Sequence, residues 1–96
     1  MIKHIVCWRF APENKEANMA EAKTRLMALP ALVPEIRSFE IGFNVVVSEF
    51  AYDMALVSTY DDLAALECYQ QNPDHKKVSA FIRSVITERA TVDFIV

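Results

Sequence analysis

The stretch Tyr69-Gln70-Gln71-Asn72-Pro73-Asp74-His75-Lys76-Lys77-Val78 splits what would otherwise be one long helical segment into two. Asn72 is suited to cap a helix, and Pro73 to stand at its first position, where the missing N–H costs nothing and the fixed φ is already helical. Upstream, Asp61 is placed to cap a short helix carrying Leu63 and Leu66. Downstream, His75, Val78, Ile82 and Val85 recur at steps of three and four, the apolar stripe of a helix that runs to about Thr87. The same stretch sets a tyrosine and a histidine close together, two side chains able to exchange protons or hydrogen bonds with a ligand.

Outward from this break the periods alternate. Residues 2–10 are β-branched and aromatic and read as a strand, with Ile2, His4, Val6, Trp8 and Phe10 on one face and Lys3, Ile5, Cys7 and Arg9 on the other. Residues 14–29 change to helical spacing through Met19, Ala22, Leu26 and Leu29, with Asn14 as the expected cap and Pro30 and Pro34 as the stop. Residues 36–45 and 52–60 return to alternation around a linker at 46–51, and a last strand covers 89–96. Gly42, the chain's one glycine, is expected to mark a bulge or a close backbone approach. The order is β-α-β-β-α-β. With right-handed crossovers it predicts an α+β ferredoxin-like sandwich in one domain over residues 1–96, an antiparallel sheet with helices on one face.

Both faces of that sheet are apolar in the middle. Val6, Trp8, Met54, Leu56, Val92 and Phe94 are assigned to the helix side. Ile5, Cys7, Phe39, Ile41, Phe43, Ala55, Val57 and Ile95 are assigned to the open side. An uncovered apolar face of this size calls for a partner, and a symmetric homodimer is the simplest one. Phe39, Ile41 and Phe43 are the expected dimer face.

Composition removes several function classes. At 96 residues the core is limited, and 53% apolar residues is too many for a disordered chain. No run approaches the roughly 20 apolar residues of a membrane span, and Met1-Ile2-Lys3-His4 leads straight into a strand pattern, so a signal peptide is not expected and a cytoplasmic location is. A net charge of −3 argues against nucleic acid as a partner. Lys76, Lys77 and Arg83 form a small basic patch, read as a solvated helix face. Cys7 and Cys68 have no thiol or metal-type spacing near them and are expected to be reduced.

The candidates for chemistry are the two histidines and Tyr69. His4 points to the face assigned to the helices, His75 lies on the stripe that should cover it, and Tyr69 stands one turn before the break. Imidazole has an ordinary pKa near 6.5, so either histidine can serve as a general base, and a tyrosine hydroxyl can hold a carbonyl or enolate oxygen. The expected pocket wall is Val6, Trp8, Met54 and Leu56 from the sheet with Asn72 and Val78 from the helices. An alternative stays open for each candidate. His75 can hydrogen-bond the preceding loop, His4 can be a core histidine satisfied by a carbonyl, and Tyr69 can pack as a hydrophobe with a wet tip. Two histidines without matching carboxylates or thiols fall short of a zinc set, so no metal is expected. Asp93 is expected to pair with Lys3 or Arg9 across the sheet.

Ile2-Lys3-His4-Ile5-Val6, Phe39-Glu40-Ile41-Gly42-Phe43-Asn44-Val45, Tyr52-Asp53-Met54-Ala55-Leu56-Val57, Tyr69 with Pro73-Asp74-His75, and Val92-Asp93-Phe94 together resemble the stress-responsive A/B barrel family in the right order over essentially the whole chain. The resemblance implies a dimeric α+β barrel. Most members have no assigned activity; one plant member is a cofactor-free polyketide cyclase, and the resemblance sets its base at His75, its substrate-orienting tyrosine at Tyr69 and a pocket histidine at His4. The chain departs from that enzyme at Met54, where a further histidine stands, and from many members at Asn72, again in place of a histidine. Three functions are carried forward. They are a cofactor-free enzyme or binder for a small apolar carbonyl or aromatic compound, a non-catalytic structural or stress-protective dimer, and a monooxygenase of the related antibiotic-biosynthesis type.

Overall fold

The computed structural model describes residues 1–96. The elements run β1 (Ile2–Phe10), α1 (Lys15–Met27), α2 (Leu29–Leu32), β2 (Ser38–Phe43), β3 (Met54–Tyr60), α3 (Leu63–Gln71), α4 (Pro73–Val85) and β4 (Ile86–Ile95). The sheet order is β2-β3-β1-β4, and every neighbouring pair is antiparallel. This is the ferredoxin-like sandwich, with the helices packed on one face. No helix is long and apolar enough to cross a membrane.

The helical break falls where expected. Asn72 closes α3 and opens α4, its side chain accepting from the Asp74 N–H at 2.8 Å with Pro73 in the first turn. The other caps differ. Asp62, not Asp61, caps α3 by accepting from Ala65 N–H at 2.8 Å, while Asp61 pairs with Arg37 at 2.8 Å. Asn14 starts α1 in the left-handed region at φ 55° without a side-chain cap bond. Pro30 does not stop a helix but sits in the first turn of α2. Gly42 marks no bulge: β2 stays in register with β3 across it.

The register corrects the face assignment of two strands. Phe39, Ile41 and Phe43 stand opposite Ser58, Leu56 and Met54, all three buried beneath the helices, so the expected dimer face belongs to the covered side. On β4, Thr91 and Asp93 stand opposite Val6 and His4, which moves Val92 and Phe94 to the open side. A change of one residue in parity turns a whole strand over, and with both faces apolar, alternation alone carries no label for which one is covered. The open face therefore holds Ile5, Cys7, Ala55, Val57, Val92 and Phe94.

The core lies between sheet and helices, from Ile2, Val6, Trp8 and Phe10 on β1 to Ala22, Leu26 and Leu29 on the helices above, with Met54, Leu56 and Tyr60 on β3. α3 contributes Leu66 and Tyr69, and α4 contributes Ile82.

Candidate active site

A cavity of about 280 Å³ opens between β1, β3, β4 and the α3–α4 pair. Its floor is His4, Val6, Trp8 and Leu56, and its roof brings in Tyr69, Gln70, His75, Ser79, Ile82 and Arg83, with Leu26, Ile86 and Arg89 completing the wall. The α4 contributors fall at steps of four, three and one, a single helical face turned to the sheet. That volume lies at the small end of ligand sites.

Of the residues expected to line a pocket, Val6, Trp8 and Leu56 do so. Met54, Asn72 and Val78 do not. Met54 is buried against Phe43 toward the far end of the sheet, Asn72 is engaged in capping α4, and Val78 packs into the core. Trp8 walls the cavity without filling it.

His4, Tyr69 and His75 converge. The Tyr69 ring lies 4.3 Å from that of His75 and 6.2 Å from that of His4. The α3–α4 break is what brings this about, because it turns the chain within Gln71–Pro73 and leaves Tyr69 and His75 facing the same space. His75 has both nitrogens engaged. Nδ1–H donates to the Gln70 carbonyl at 3.2 Å, which fixes the neutral tautomer and leaves the lone pair on Nε2. The Ser79 hydroxyl reaches that Nε2 at 3.3 Å, a long contact that a better donor can displace. Burial lowers the proton affinity of His75, the Gln70 carbonyl opposes this, and the positive fields of His4 and Arg89 add to the lowering. At neutral pH the ring is an unprotonated base.

Tyr69 has the opposite character. Burial foremost, then the adjacent Tyr60, holds its hydroxyl well above the usual phenol range. Tyr60, 5.1 Å away ring to ring, is pushed up to about 12 by burial, partly offset by its bond to Ser58 Oγ at 3.1 Å. Both stay protonated across the working range, so Tyr69 is a donor and not a base.

Asp93 is the residue that the sequence pattern misassigns. It meets neither Lys3 nor Arg9 but accepts from Nδ1 of His4 across the β1/β4 ladder. The alternating pattern of β4 contained the signal, since Asp93 is paired with the buried His4 once the register is known. Ser79, Gln70 and Arg89 carried no signal of their own; they are ordinary polar residues until the fold gathers them. No group of three or more His, Cys, Asp or Glu side chains is arranged to hold a metal ion.

The model of the stress-responsive A/B barrel domain matches residues 2–96. An uncharacterised protein of Streptomyces coelicolor is 28% identical over 89 residues, covering 91% of this chain and 92% of that protein. A crystal structure from Bacteroides fragilis, described as a dimeric protein of unknown function with a ferredoxin-like fold, is 31% identical, covers 97% of this chain and 93% of its own, and superposes with a TM-score of 0.88. The hydroxynitrile lyase of Passiflora edulis shares the fold at a TM-score of 0.89 with 14% identity, over 99% of this chain and 92% of its own. With its whole length from Ile2 to Val96 accounted for by that domain, the chain belongs to the stress-responsive A/B barrel family.

Proposed function

We propose that the protein is a homodimer that binds a small apolar carbonyl or aromatic compound in the cavity and acts on it without a cofactor. His75 is the base, Tyr69 orients the ligand oxygen, and His4 shapes the floor. The observation that carries this reading is the fixed tautomer of His75, which turns a lone pair on Nε2 toward a cavity also lined by Tyr69. In the simplest reaction Nε2 takes the proton from the carbon next to a carbonyl. The electron pair moves onto the carbonyl oxygen, which the Tyr69 hydroxyl stabilises as a hydrogen-bond donor, and the proton is returned from His75.

The test combines thermal-shift screening against phenols and aryl ketones with exchange of the α-protons of acetophenone into deuterated water. Wild type is expected to be stabilised by members of the set. The exchange rate is expected to fall about a hundredfold or more in His75→Gln. Absence of any ligand-induced stabilisation overturns the reading and leaves a structural dimer.

Self-association is supported by the dimeric state described for the Bacteroides relative and by the open sheet face. There Gly42, Ala55, Cys7 and Ala90 form one row across all four strands, a shallow trough beside the apolar row of Val57, Ile5 and Val92. Val92 is 60% and Phe94 42% exposed in the single chain, apolar surface that a second copy would cover. A cytoplasmic location agrees with the free thiols of Cys7 and Cys68, the latter exposed.

A further inference from the structure

The chain contains five arginines in a protein of net charge −3. Three are engaged: Arg9 with Glu88 at 3.1 Å, Arg25 with Glu21 at 3.4 Å and Arg37 with Asp61 at 2.8 Å. The two without an ion pair, Arg83 on α4 and Arg89 on β4, both line the cavity. None of the residues lining that cavity is acidic. Asp93, on the same side of β4 as Arg89, is committed to His4. A protein with an excess of carboxylates has thus left its two uncompensated guanidinium groups at one concave site.

We propose that this pair selects an anionic ligand, a small carboxylate whose apolar body fills the space over Trp8, Val6 and Leu56 while its carboxylate meets Arg83 and Arg89 at the mouth. The inference rests on the cavity being the ligand site and adds the ligand's charge class. Guanidinium groups present a planar fork that matches a carboxylate through two parallel hydrogen bonds, and low-dielectric walls focus the field of a charged rim. The apolar residues account for the body and the arginines for the head. His75 and Tyr69, deeper in the site, are left free for a second functional group of the same ligand.

Trp8, the chain's one tryptophan, lines the cavity at 5% exposure and reports occupancy by its fluorescence. The experiment titrates wild type, Arg83→Gln/Arg89→Gln and Arg83→Lys/Arg89→Lys with benzoate and with its neutral counterpart benzamide. Wild type is expected to bind benzoate about tenfold tighter than benzamide, with the preference shrinking as salt is added. The glutamine double variant is expected to bind benzoate and benzamide alike, and the lysine variant to keep part of the preference. Equal affinities in wild type, or a preference that survives in the glutamine variant, overturn the inference and leave the cavity reading intact. Failure of wild type to bind either compound overturns both. Salt dependence in wild type decides the matter independently of how well either variant folds.

Discussion

His4 and Asp93 face each other across the β1/β4 ladder, the imidazole 2% and the carboxylate 35% exposed, with Nδ1 bonded to Oδ1. The pair gives a buried imidazole its acceptor and turns a histidine edge toward the Tyr60–Tyr69 rings. Removing the acceptor leaves a buried polar ring unsatisfied, which costs about 1–3 kcal/mol. Asp93→Ala is therefore expected to lower stability by that amount in urea unfolding, and Asp93→Asn by less because the amide oxygen still accepts. A double-mutant cycle with His4→Phe is expected to show the two losses coupled. Simple additivity would mean the contact is idle.

His75 on one side, and Tyr69 with the adjacent Tyr60 on the other, set the pH limits of stability in opposite directions. His75 has a folded pKa below its ordinary value of 6.5, because burial disfavours the charged ring. The unfolded chain thus takes up a proton first as pH falls. The stabilisation is fully present above the unfolded pKa and is lost on descending from 6.5 toward the folded value. Tyr69 and Tyr60 have folded values raised above 10.0, Tyr60 to about 12. Their contribution is present below 10 and disappears as pH climbs through the folded range. Melting curves across pH should show both limbs, with His75→Gln flattening the acid limb and Tyr69→Phe the alkaline one. An unchanged acid limb in His75→Gln would place the titration elsewhere.

Asn72 carries the helix break and hence the direction of His75. Asn72→Ala removes the bond to the Asp74 N–H, and losing such a cap costs about 1 kcal/mol. The same substitution loosens the turn that sets Gln70 beneath the His75 ring, so ligand-dependent stabilisation is expected to weaken alongside the fall in melting temperature. Asn72→Asp retains an acceptor and should recover most of both.

How much of this was legible in the sequence depended on whether the signal was local. Pro73 after Asn72 is a backbone constraint within two residues, and it located the α3–α4 break and the meeting of Tyr69 with His75. Element order followed from periods of two and nearly four, and with it the sandwich. What local pattern could not supply was parity. Phe39, Ile41 and Phe43 alternate as cleanly as Val6 and Trp8, but nothing in alternation tells which alternate set the helices cover when both are apolar. Pairing partners decide that, and they lie between 11 residues away, for Phe43 and Met54, and 93, for Ile2 and Ile95. Asp93 is misassigned for the same reason, and Arg89, opposite Trp8 in the same ladder, gives no local signal at all. The mouth of the cavity was invisible because it is assembled from β4 and α4 by a register that only tertiary structure sets.

The two faces of the sheet therefore make opposite predictions for substitutions of the same kind. Ile41 is 9% exposed and packed under the helices, so Ile41→Ala should cost about 2–5 kcal/mol through lost burial and the space left behind. That loss is expected with no change in subunit affinity beyond what unfolding explains. Val92 is 60% exposed on the open face in the single chain, so Val92→Asp removes little folding energy from the monomer. Set in an apolar contact repeated by symmetry, however, the same carboxylate would meet its own copy or an apolar surface with no compensating charge. Sedimentation of Val92→Asp at micromolar concentration is expected to give a folded monomer where wild type gives a dimer. If Val92→Asp remained dimeric while a charge placed at Phe43 dissociated the protein, the contact between subunits would lie at the β2 end of the molecule and the open face would need another occupant.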